Sequence, residues 1–171
     1  DFDQLEAQLR SVAPYAPELQ GPGGGSALLS LNHEIFSDWR YRLPADTAFV
    51  VEPKIDGCAV ALRYVKGRLA DAWTGSGRSA MPAIDLVKSV PRRIKASGTV
   101  QVNGELYDVG VERSQQNAAK SLNKTPNGDG LAFMAYTLVD AQGDELASLQ
   151  TMSKWGFIVP DALVCTRDSE V

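Results

Sequence analysis

The stretch Val51-Glu52-Pro53-Lys54-Ile55-Asp56-Gly57 decides the fold, because apolar and charged residues alternate along it. Successive side chains of an extended chain point to opposite faces, so residues 49–56 predict a strand with one apolar and one charged face. The apolar face would hold Phe49, Val51, Pro53 and Ile55, and the charged face Glu52, Lys54 and Asp56. Charges on one side of a hydrophobic strand are costly in a core and useful in a binding site. The alternative is an edge strand whose mixed charges are solvated.

The residues Lys54-Ile55-Asp56-Gly57 form a Lys-x-Asp-Gly sequence that suits nucleophilic catalysis by an amine. A lysine can attack an α-phosphate and carry the nucleotide as a phosphoramidate, which divides one difficult transfer into two easier ones. Asp56 is expected to orient the lysine or to face the ribose or a metal. Gly57 lets the backbone turn or approach a ligand without a Cβ in the way.

The lysine sequence and the strand after it resemble a known family. Glu52-Pro53-Lys54-Ile55-Asp56-Gly57, followed by Ala59-Val60-Ala61-Leu62-Arg63-Tyr64, is similar to the adenylation domain of NAD-dependent DNA ligases. The ATP-dependent ligases and capping enzymes share only the looser Lys-x-Asp-Gly. The resemblance implies an α+β nucleotidyltransferase core of twisted, largely antiparallel sheets with flanking helices and a nucleotide in the cleft between them.

Further stretches extend the resemblance over most of residues 1–165. They are Leu28-Leu29-Ser30-Leu31-Asn32, Asn103-Gly104-Glu105-Leu106-Tyr107, Gln116-Asn117-Ala118-Ala119-Lys120-Ser121-Leu122 and Trp155-Gly156-Phe157-Ile158-Val159. The resemblance implies that Ser30 and Leu31 meet the adenosine, that Glu105 faces the ribose, and that Tyr136 lies beside the base. The nucleotide-binding residues that it implies are Ser30, Leu31, Glu52, Gly57, Thr74, Glu105 and Tyr136, with Lys54 and Asp56 as the catalytic pair. Without the resemblance, Glu105 would be interpreted as an exposed strand residue and Tyr136 equally well as core.

The chain departs from the family pattern at several cationic positions. Thr74, Asn103 and Gln116 lie where the family has arginines, although Gly75 and Gly77 are retained. Arg78 follows four residues after Thr74. Because a cation stabilises phosphate charge, these replacements predict weak or absent self-adenylation by this chain.

The chain is predicted to divide into three parts. Residues 1–20 resemble the end of the small helical domain that grips the nicotinamide half of NAD, with Phe2 and Asp3 at matching positions and an apolar helical stripe over residues 2–13. Residues 21–27 are a linker rich in glycine. Residues 28–171 would be the adenylation domain, incomplete at its C-terminal end. Asp1 is not a translation start, which predicts a processed or trimmed chain or a fragment.

Periodicity and turn residues predict the elements after the lysine. Residues 58–65 and 68–73 form a hairpin across Lys66-Gly67, and residues 81–90 a short helix with Pro82 in its first turn. Strands follow at residues 100–107 and 130–140, the second with Phe133, Ala135 and Thr137 on one face and Met134, Tyr136 and Leu138 on the other. Ser148 is expected to cap a last helix that ends at Gly156.

Composition limits the possible partners. With 171 residues, 44% hydrophobic and 22% charged, the chain has the make-up of a soluble domain with one core. Its net charge of -4 argues against strong nucleic-acid binding by this chain alone. The two cysteines form no metal-binding pattern, and no apolar run is long enough for a membrane span. A cytoplasmic monomer is expected.

The implied reaction is attack of Lys54 on the adenylyl phosphate of NAD, which releases nicotinamide mononucleotide. In the family the AMP then passes to a 5′-phosphate at nicked DNA. Magnesium would support this chemistry, but the sequence does not identify the residues that would bind it. Two alternatives remain: a degenerate, non-catalytic domain that binds a nucleotide or a replication partner, and an ATP-dependent RNA ligase or guanylyltransferase. AMP and NAD should bind with similar, weak affinity, because the nicotinamide half would meet only Asp1, Phe2 and Asp3.

Overall fold

The structure is a computed structural model, and it describes residue 28 and residues 35–110, 114–139, 141 and 144–166. The predicted helix at 2–13 and the linker at 21–27 lie outside the described residues. So do four of the predicted site residues, which are Phe2, Asp3, Ser30 and Leu31.

The described residues alternate between strands and short helices. The strands are β1 (Phe49–Val51), β2 (Cys58–Val65), β3 (Arg68–Thr74), β4 (Thr99–Asp108), β5 (Leu131–Leu138) and β6 (Leu163–Cys165). The helices are α1 (Phe36–Tyr41), α2 (Met81–Ile84), α3 (Ser114–Asn123) and α4 (Glu145–Lys154). All pairs between these strands are antiparallel, so the predicted α+β class with antiparallel sheets is confirmed.

The larger sheet has the strand order β3-β2-β4-β5, and it grows from the predicted hairpin. Lys66 and Gly67 both have positive φ, at 49° and 73°. This conformation at both central residues is the one whose twist suits a tight hairpin between antiparallel strands. The prediction of a hairpin that closes at these residues is therefore confirmed.

The core lies on one face of this sheet and beneath the helices. Its largest fully buried side chains include Tyr64, Phe133, Leu62, Ile84, Leu106 and Met152. The Tyr64 hydroxyl donates a hydrogen bond of 2.6 Å to the carbonyl oxygen of Pro91, which satisfies its polar group inside the core. Alternate residues of β2 enter this core, since Val60, Leu62 and Tyr64 are all fully buried.

The predicted alternation of β5 is wrong at its C-terminal end. The pairing with β4 shifts register between Asn103 and Gly104, so that Gly104 pairs with Ala135 while Asn103 pairs with Thr137. Such a bulge places an extra residue in one strand and changes which side chains share a face. Leu138 therefore packs against the core, as Phe133 does, and not on the side predicted for it.

Three other element boundaries differ from the prediction. The strand at the lysine sequence ends at Val51 and not at residue 56, and the helix predicted over 81–90 spans only Met81–Ile84. The last helix is capped by Asp144, whose carboxylate accepts a hydrogen bond of 2.8 Å from the N–H of Ala147. Ser148 is a buried residue inside that helix, and its hydroxyl bonds to the Asp144 carbonyl.

A second, two-stranded sheet joins β1 to β6. Its Phe49 is buried, and the rings of Phe36 and Trp39 from α1 lie 6.0 and 5.5 Å from the Phe49 ring. The guanidinium of Arg40 lies 5.3 Å from the centre of the same ring, within the range of a cation–π contact. In the described ranges, none of the helices has the length and apolar character needed to cross a bilayer.

Candidate active site

Gly57 brings the lysine sequence into contact with β4. It immediately precedes β2, where Cys58 pairs with Leu106 and Ala59 pairs with Glu105. A Cβ at position 57 would collide with the carbonyl oxygen of Leu106 and lie 2.8 Å from Cγ of Glu105. Only glycine allows this approach, because it has no Cβ. Steric exclusion therefore explains why a glycine occupies this buried position.

The Glu105 carboxyl lies at the centre of a group of interacting charges. Burial raises the pKa of Glu105 to about 7; the charge of Lys54 opposes this rise, Asp56 adds to it, and a hydrogen bond from the N–H of Gly57 opposes it. The predicted catalytic residues Lys54 and Asp56 are therefore near enough to Glu105 for their charges to shift its pKa. Lys54 and Asp56 are exposed, whereas Glu105 is half-buried.

Tyr136 belongs to the same group of residues. Burial raises the pKa of its hydroxyl to about 12, and the negative charge of Glu105 adds to the effect. Regular alternation along β5 places Tyr136 on the face opposite to the core that Phe133 and Ala135 enter. The structure thus brings Tyr136 next to the predicted ribose-facing carboxyl.

Glu52 has a buried oxygen that lacks a partner. Its Oε1 atom is inaccessible to solvent and accepts no hydrogen bond among the described residues. Burial raises the pKa of Glu52, and the carboxylate of Glu145 on α4 raises it further. An unpaired buried acceptor is unfavourable in the free protein, and a ligand with an N–H or O–H donor would remove that cost. The sequence analysis did not identify Glu145 as a neighbour of Glu52. The local sequence shows only that Glu145 is the first residue of a helix that Asp144 caps.

Thr74 ends β3 in a closed turn. Its hydroxyl lies 3.0 Å from the hydroxyl of Ser76, and its N–H donates a hydrogen bond of 2.9 Å to the carbonyl of Arg78. Leu28 lies against this turn, since a Cβ at Gly75 would be 3.9 Å from Cβ of Leu28. Because Thr74 pairs with Val60 of β2, the turn lies at the end of the sheet that also carries Gly57.

Cys58 connects the site to α3. Its Sγ donates to the carbonyl of Gln115 at 3.7 Å, which places the first turn of the helix beside the start of β2. Burial raises the pKa of the Cys58 thiol, and the carboxylates of Glu105 and Asp56 add to the rise. The thiol is therefore held in its neutral, less reactive form.

The part of the chain that holds this site matches a known protein family. Residues 30–127 match the family model described as the NAD-dependent DNA ligase adenylation domain. The chain belongs to this family. The matched range contains the lysine sequence, the β2–β3 hairpin, β4 and all of α3.

Curated relatives agree with the family and are much longer than this chain. "DNA ligase 2" of Pseudarthrobacter chlorophenolicus is 31% identical, over 67% of this chain and 20% of the relative. A "DNA ligase" of Leuconostoc mesenteroides is 32% identical, over 67% of this chain and 18% of the relative. A "DNA ligase" of Mycoplasma pneumoniae is 26% identical, over 100% of this chain and 30% of the relative. The chain thus spans between 18% and 30% of the length of these DNA ligases.

Three positions of this adenylation domain hold neutral residues where the resemblance to the family implies arginines, and their surroundings differ. Asn103 is buried, and its Oδ1 accepts a hydrogen bond of 2.8 Å from Nε2 of Gln101. Gln116 is exposed in the first turn of α3. Thr74 contacts Ser76 as described above. Asn103 therefore has a hydrogen-bond partner inside the protein, whereas Gln116 is exposed to solvent.

Metal ligands are not grouped around this site. Within the described residues, no set of three or more His, Cys, Asp or Glu side chains is placed to hold a metal ion. Magnesium bound to nucleotides often takes only one or two carboxylates and completes its shell with phosphate and water. The described residues do not form a protein-only magnesium site.

A cavity of about 330 Å³ lies elsewhere, between α3, the end of β4 and the start of β5. It is lined by Asp108, Asn117, Lys120, Ser121, Thr125, Asn127, Asp129 and Leu131. Asp108 is tied to α3 by a hydrogen bond of 2.7 Å from Asn117, on the side of β4 opposite to Glu105. The cavity is therefore separate from the candidate active site.

Proposed function

We propose that this chain is the nucleotidyltransferase core of an NAD-dependent DNA ligase and that Lys54 becomes adenylylated. The arrangement of Lys54, Asp56 and the Gly57 N–H around the Glu105 carboxyl carries the proposal. It joins the nucleophile to a polar group that can hold a ribose, through a close approach that leaves no room for a Cβ at position 57. Family membership supports the same reaction.

In the proposed reaction, the neutral amine of Lys54 attacks the adenylyl phosphorus of NAD. A nitrogen–phosphorus bond forms, the phosphorus–oxygen bond to nicotinamide mononucleotide breaks, and the nitrogen loses its proton. Asp56 orients the lysine, while Glu105 holds the ribose. Nucleophilic catalysis of this kind divides the transfer into two steps, so the AMP stays on the protein until an acceptor arrives.

The nucleotide would lie with its base near Tyr136 and Glu52. The unpaired buried oxygen of Glu52 is a hydrogen-bond acceptor that suits a donor on the base. Ser30 and Leu31 would complete the adenosine contacts, and Phe2 and Asp3 would lie on the nicotinamide side. These four residues enter through the resemblance of the sequence alone. Gly57 and Thr74 would border the phosphates.

The wider function belongs to the same proposal. AMP would pass to the 5′-phosphate of nicked DNA, and the sealing of nicks would serve replication and repair in the cytoplasm. A magnesium ion bound chiefly by the phosphates would help to neutralise charge. We propose that residues 28–171 form the adenylation domain, that 1–20 belong to the nicotinamide side, that 21–27 link them, and that the chain is a monomer.

A second candidate is a domain of the same fold that binds nucleotide without reacting. Neutral Thr74 and Gln116 favour it, because each replaces a cation at a site where phosphate charge develops. A lost electrostatic contact of this kind costs on the order of 10²-fold in rate. Adduct formation by this chain is therefore expected to be slow.

Intact-mass spectrometry after incubation with NAD, ATP or GTP tests the proposal. Adenylylation is expected with NAD, and it should be absent in Lys54→Ala and in the charge-matched Lys54→Arg variant. An adduct that forms with ATP or GTP but not with NAD would favour an RNA ligase or guanylyltransferase. Binding of AMP without any adduct, even after long incubation, would favour the non-catalytic domain.

A further inference from the structure

Two arginines lie directly opposite each other where the β2–β3 hairpin meets the segment before β4. Arg68 forms an isolated antiparallel bridge with Arg93. Backbone hydrogen bonds flank this bridge, among them one of 2.8 Å from the N–H of Ile94 to the carbonyl of Gly67. The bridge is therefore a non-hydrogen-bonded pair, the type in which opposite side chains lie closest together.

The paired arginines repel each other in the free protein. Like charges directly opposite each other in an antiparallel pair are destabilising, and Arg68 and Arg93 are both exposed. Among the residues that the structure describes, no carboxylate forms an ion pair with either guanidinium. A phosphate bound between the two side chains would remove the repulsion, because a guanidinium binds phosphate through two parallel N–H bonds.

Two lysines enlarge this positive surface. Lys66 lies in the hairpin turn, and Lys95 follows Arg93 by two residues, with the buried Ile94 between them. Both lysines are exposed. We call Lys66, Arg68, Arg93 and Lys95 the basic patch. Residues 63–95 contain eight Lys and Arg residues and two Asp residues, a net charge of +6, although the whole chain has a net charge of -4.

The two carboxylates within residues 63–95 are paired with other cations. Asp71 forms an ion pair of 3.0 Å with Arg63, and Asp85 forms one of 3.2 Å with Arg92. Neither of them neutralises the basic patch. The negative net charge of the chain therefore hides a local surface that suits a polyanion.

The basic patch lies on the same face of the larger sheet as Glu105. Ala59 pairs with Glu105, and Val65 lies an even number of positions later in β2, on the same face as Ala59. Arg68 lies directly opposite Val65, so its side chain shares that face. Because the 8 residues of β2 separate this end from Gly57, the patch lies roughly 25 Å from the lysine sequence.

We infer that the basic patch binds the sugar–phosphate backbone of duplex DNA to one side of the nick. The inference rests on the proposed function for the identity of the polyanion. A duplex that runs along this face would present to the patch the phosphates about seven base pairs from the nick, since each base pair adds about 3.4 Å. Such contacts fix the position of a duplex without reading its sequence.

Fluorescence anisotropy of the full chain with a labelled nicked duplex tests the inference. Arg68→Gln/Arg93→Gln should weaken binding about tenfold or more, and the slope of log affinity against log salt should fall by about 2, because two phosphate contacts are lost. Arg68→Lys/Arg93→Lys keeps both charges and should retain most of the affinity. The control Lys88→Gln/Lys154→Gln removes the same charge from exposed positions in segments that cover the core face, and its salt slope should match that of wild type.

Neutral phosphates locate the contact on the DNA. Methylphosphonates about seven base pairs from the nick on both arms should weaken wild-type binding and leave binding by Arg68→Gln/Arg93→Gln unchanged. An unchanged melting temperature of that variant excludes unfolding as the cause.

Three results would overturn the inference: no measurable duplex binding by wild type at low salt, wild-type affinity and salt slope in Arg68→Gln/Arg93→Gln, or an equal loss in the control. Formation of the Lys54 adduct together with any of these results would refute the inference alone. Duplex binding that depends on the basic patch, without any Lys54 adduct, would refute the proposed reaction and leave the inference standing.

Discussion

Gly57 approaches Glu105 so closely that a Cβ on Gly57 would lie 2.8 Å from Cγ of Glu105 and would collide with the carbonyl oxygen of Leu106. This contact joins the lysine sequence before β2 to the polar face of β4. Everything proposed about the site depends on it, because it positions the Glu105 carboxyl among Lys54, Asp56 and Tyr136.

Replacing Gly57 by alanine should destabilise the protein and displace Glu105. The added methyl meets main-chain atoms of Leu106, which cannot move without disturbing the β2–β4 pairing. Overpacking of this kind costs about 1–3 kcal/mol in the free energy of unfolding, measured by urea denaturation. Gly75→Ala is the matched control, since among the described residues its Cβ would meet Leu28 alone, at 3.9 Å. Equal stability of the two variants would contradict the close contact at Gly57.

Stability should depend on pH through Glu105. Burial raises the pKa of Glu105 from 4.5 to about 7, so between these values the folded protein binds more protons than the unfolded chain. The free energy of unfolding contributed by this residue therefore falls as pH rises through this window. Glu105→Gln cannot titrate, so it should gain stability relative to wild type between pH 4 and pH 8. We expect a gain of about 1–2 kcal/mol after solvent screening at a half-buried carboxyl. A constant difference between the two proteins across that range would show that the carboxyl is not desolvated.

Glu52→Gln should separate stability from binding. The Glu52 Oε1 atom is buried without a hydrogen bond among the described residues, and Glu145 repels its charge. Removing that charge should stabilise the free protein, by on the order of 1 kcal/mol for a poorly satisfied buried group. If the same oxygen accepts a hydrogen bond from the base, AMP affinity should fall in Glu52→Ala, which removes the acceptor, and much less in Glu52→Gln, whose amide oxygen can still accept. Urea denaturation of Glu52→Gln and calorimetry on both variants measure the two effects. A Glu52→Gln variant that is less stable, together with a Glu52→Ala variant that binds AMP normally, would refute both assignments.

Asp144 should contribute a measurable cap to α4. Its carboxylate accepts a hydrogen bond of 2.8 Å from the N–H of Ala147. Asp144→Ala should lower the free energy of unfolding by about 1 kcal/mol, whereas Asp144→Asn, which keeps an acceptor, should lose much less. Thermal or urea denaturation measures this difference. If the asparagine variant were as unstable as the alanine variant, the capping bond would not explain the effect.

AMP and NAD should bind to this chain with affinities within about tenfold, a gap of about 1.4 kcal/mol. The predicted adenosine contacts are spread over residues 30–136, whereas the sequence assigns only Asp1, Phe2 and Asp3 to the nicotinamide half. A ligand half that finds few contacts still loses conformational freedom on binding. Titration calorimetry decides the point, and NAD binding a hundredfold tighter than AMP would require a nicotinamide site within these residues.

The amino-acid sequence by itself determined part of the local structure and the family. The Lys66-Gly67 turn, the alternation in β2 and β4 and the glycine that ends α4 follow from residues close together in the chain, and Gly156 has the expected positive φ of 93°. The Lys-x-Asp-Gly sequence also predicted the class of chemistry that we propose. Local patterns suffice here because backbone conformation at turns and caps depends on side chains within a few residues.

Tertiary structure decided which of these residues act together. The meeting of Gly57 with Glu105 depends on the register between β2 and β4, and the separation of Tyr136 from Leu138 depends on a bulge in β5. The pKa of Glu105 and the unpaired oxygen of Glu52 depend on burial, which no local pattern reports. Register and burial arise from the packing of segments far apart in the chain. The sequence could therefore name the candidate residues, but only the folded chain could place a carboxyl beside the lysine and Arg68 opposite Arg93.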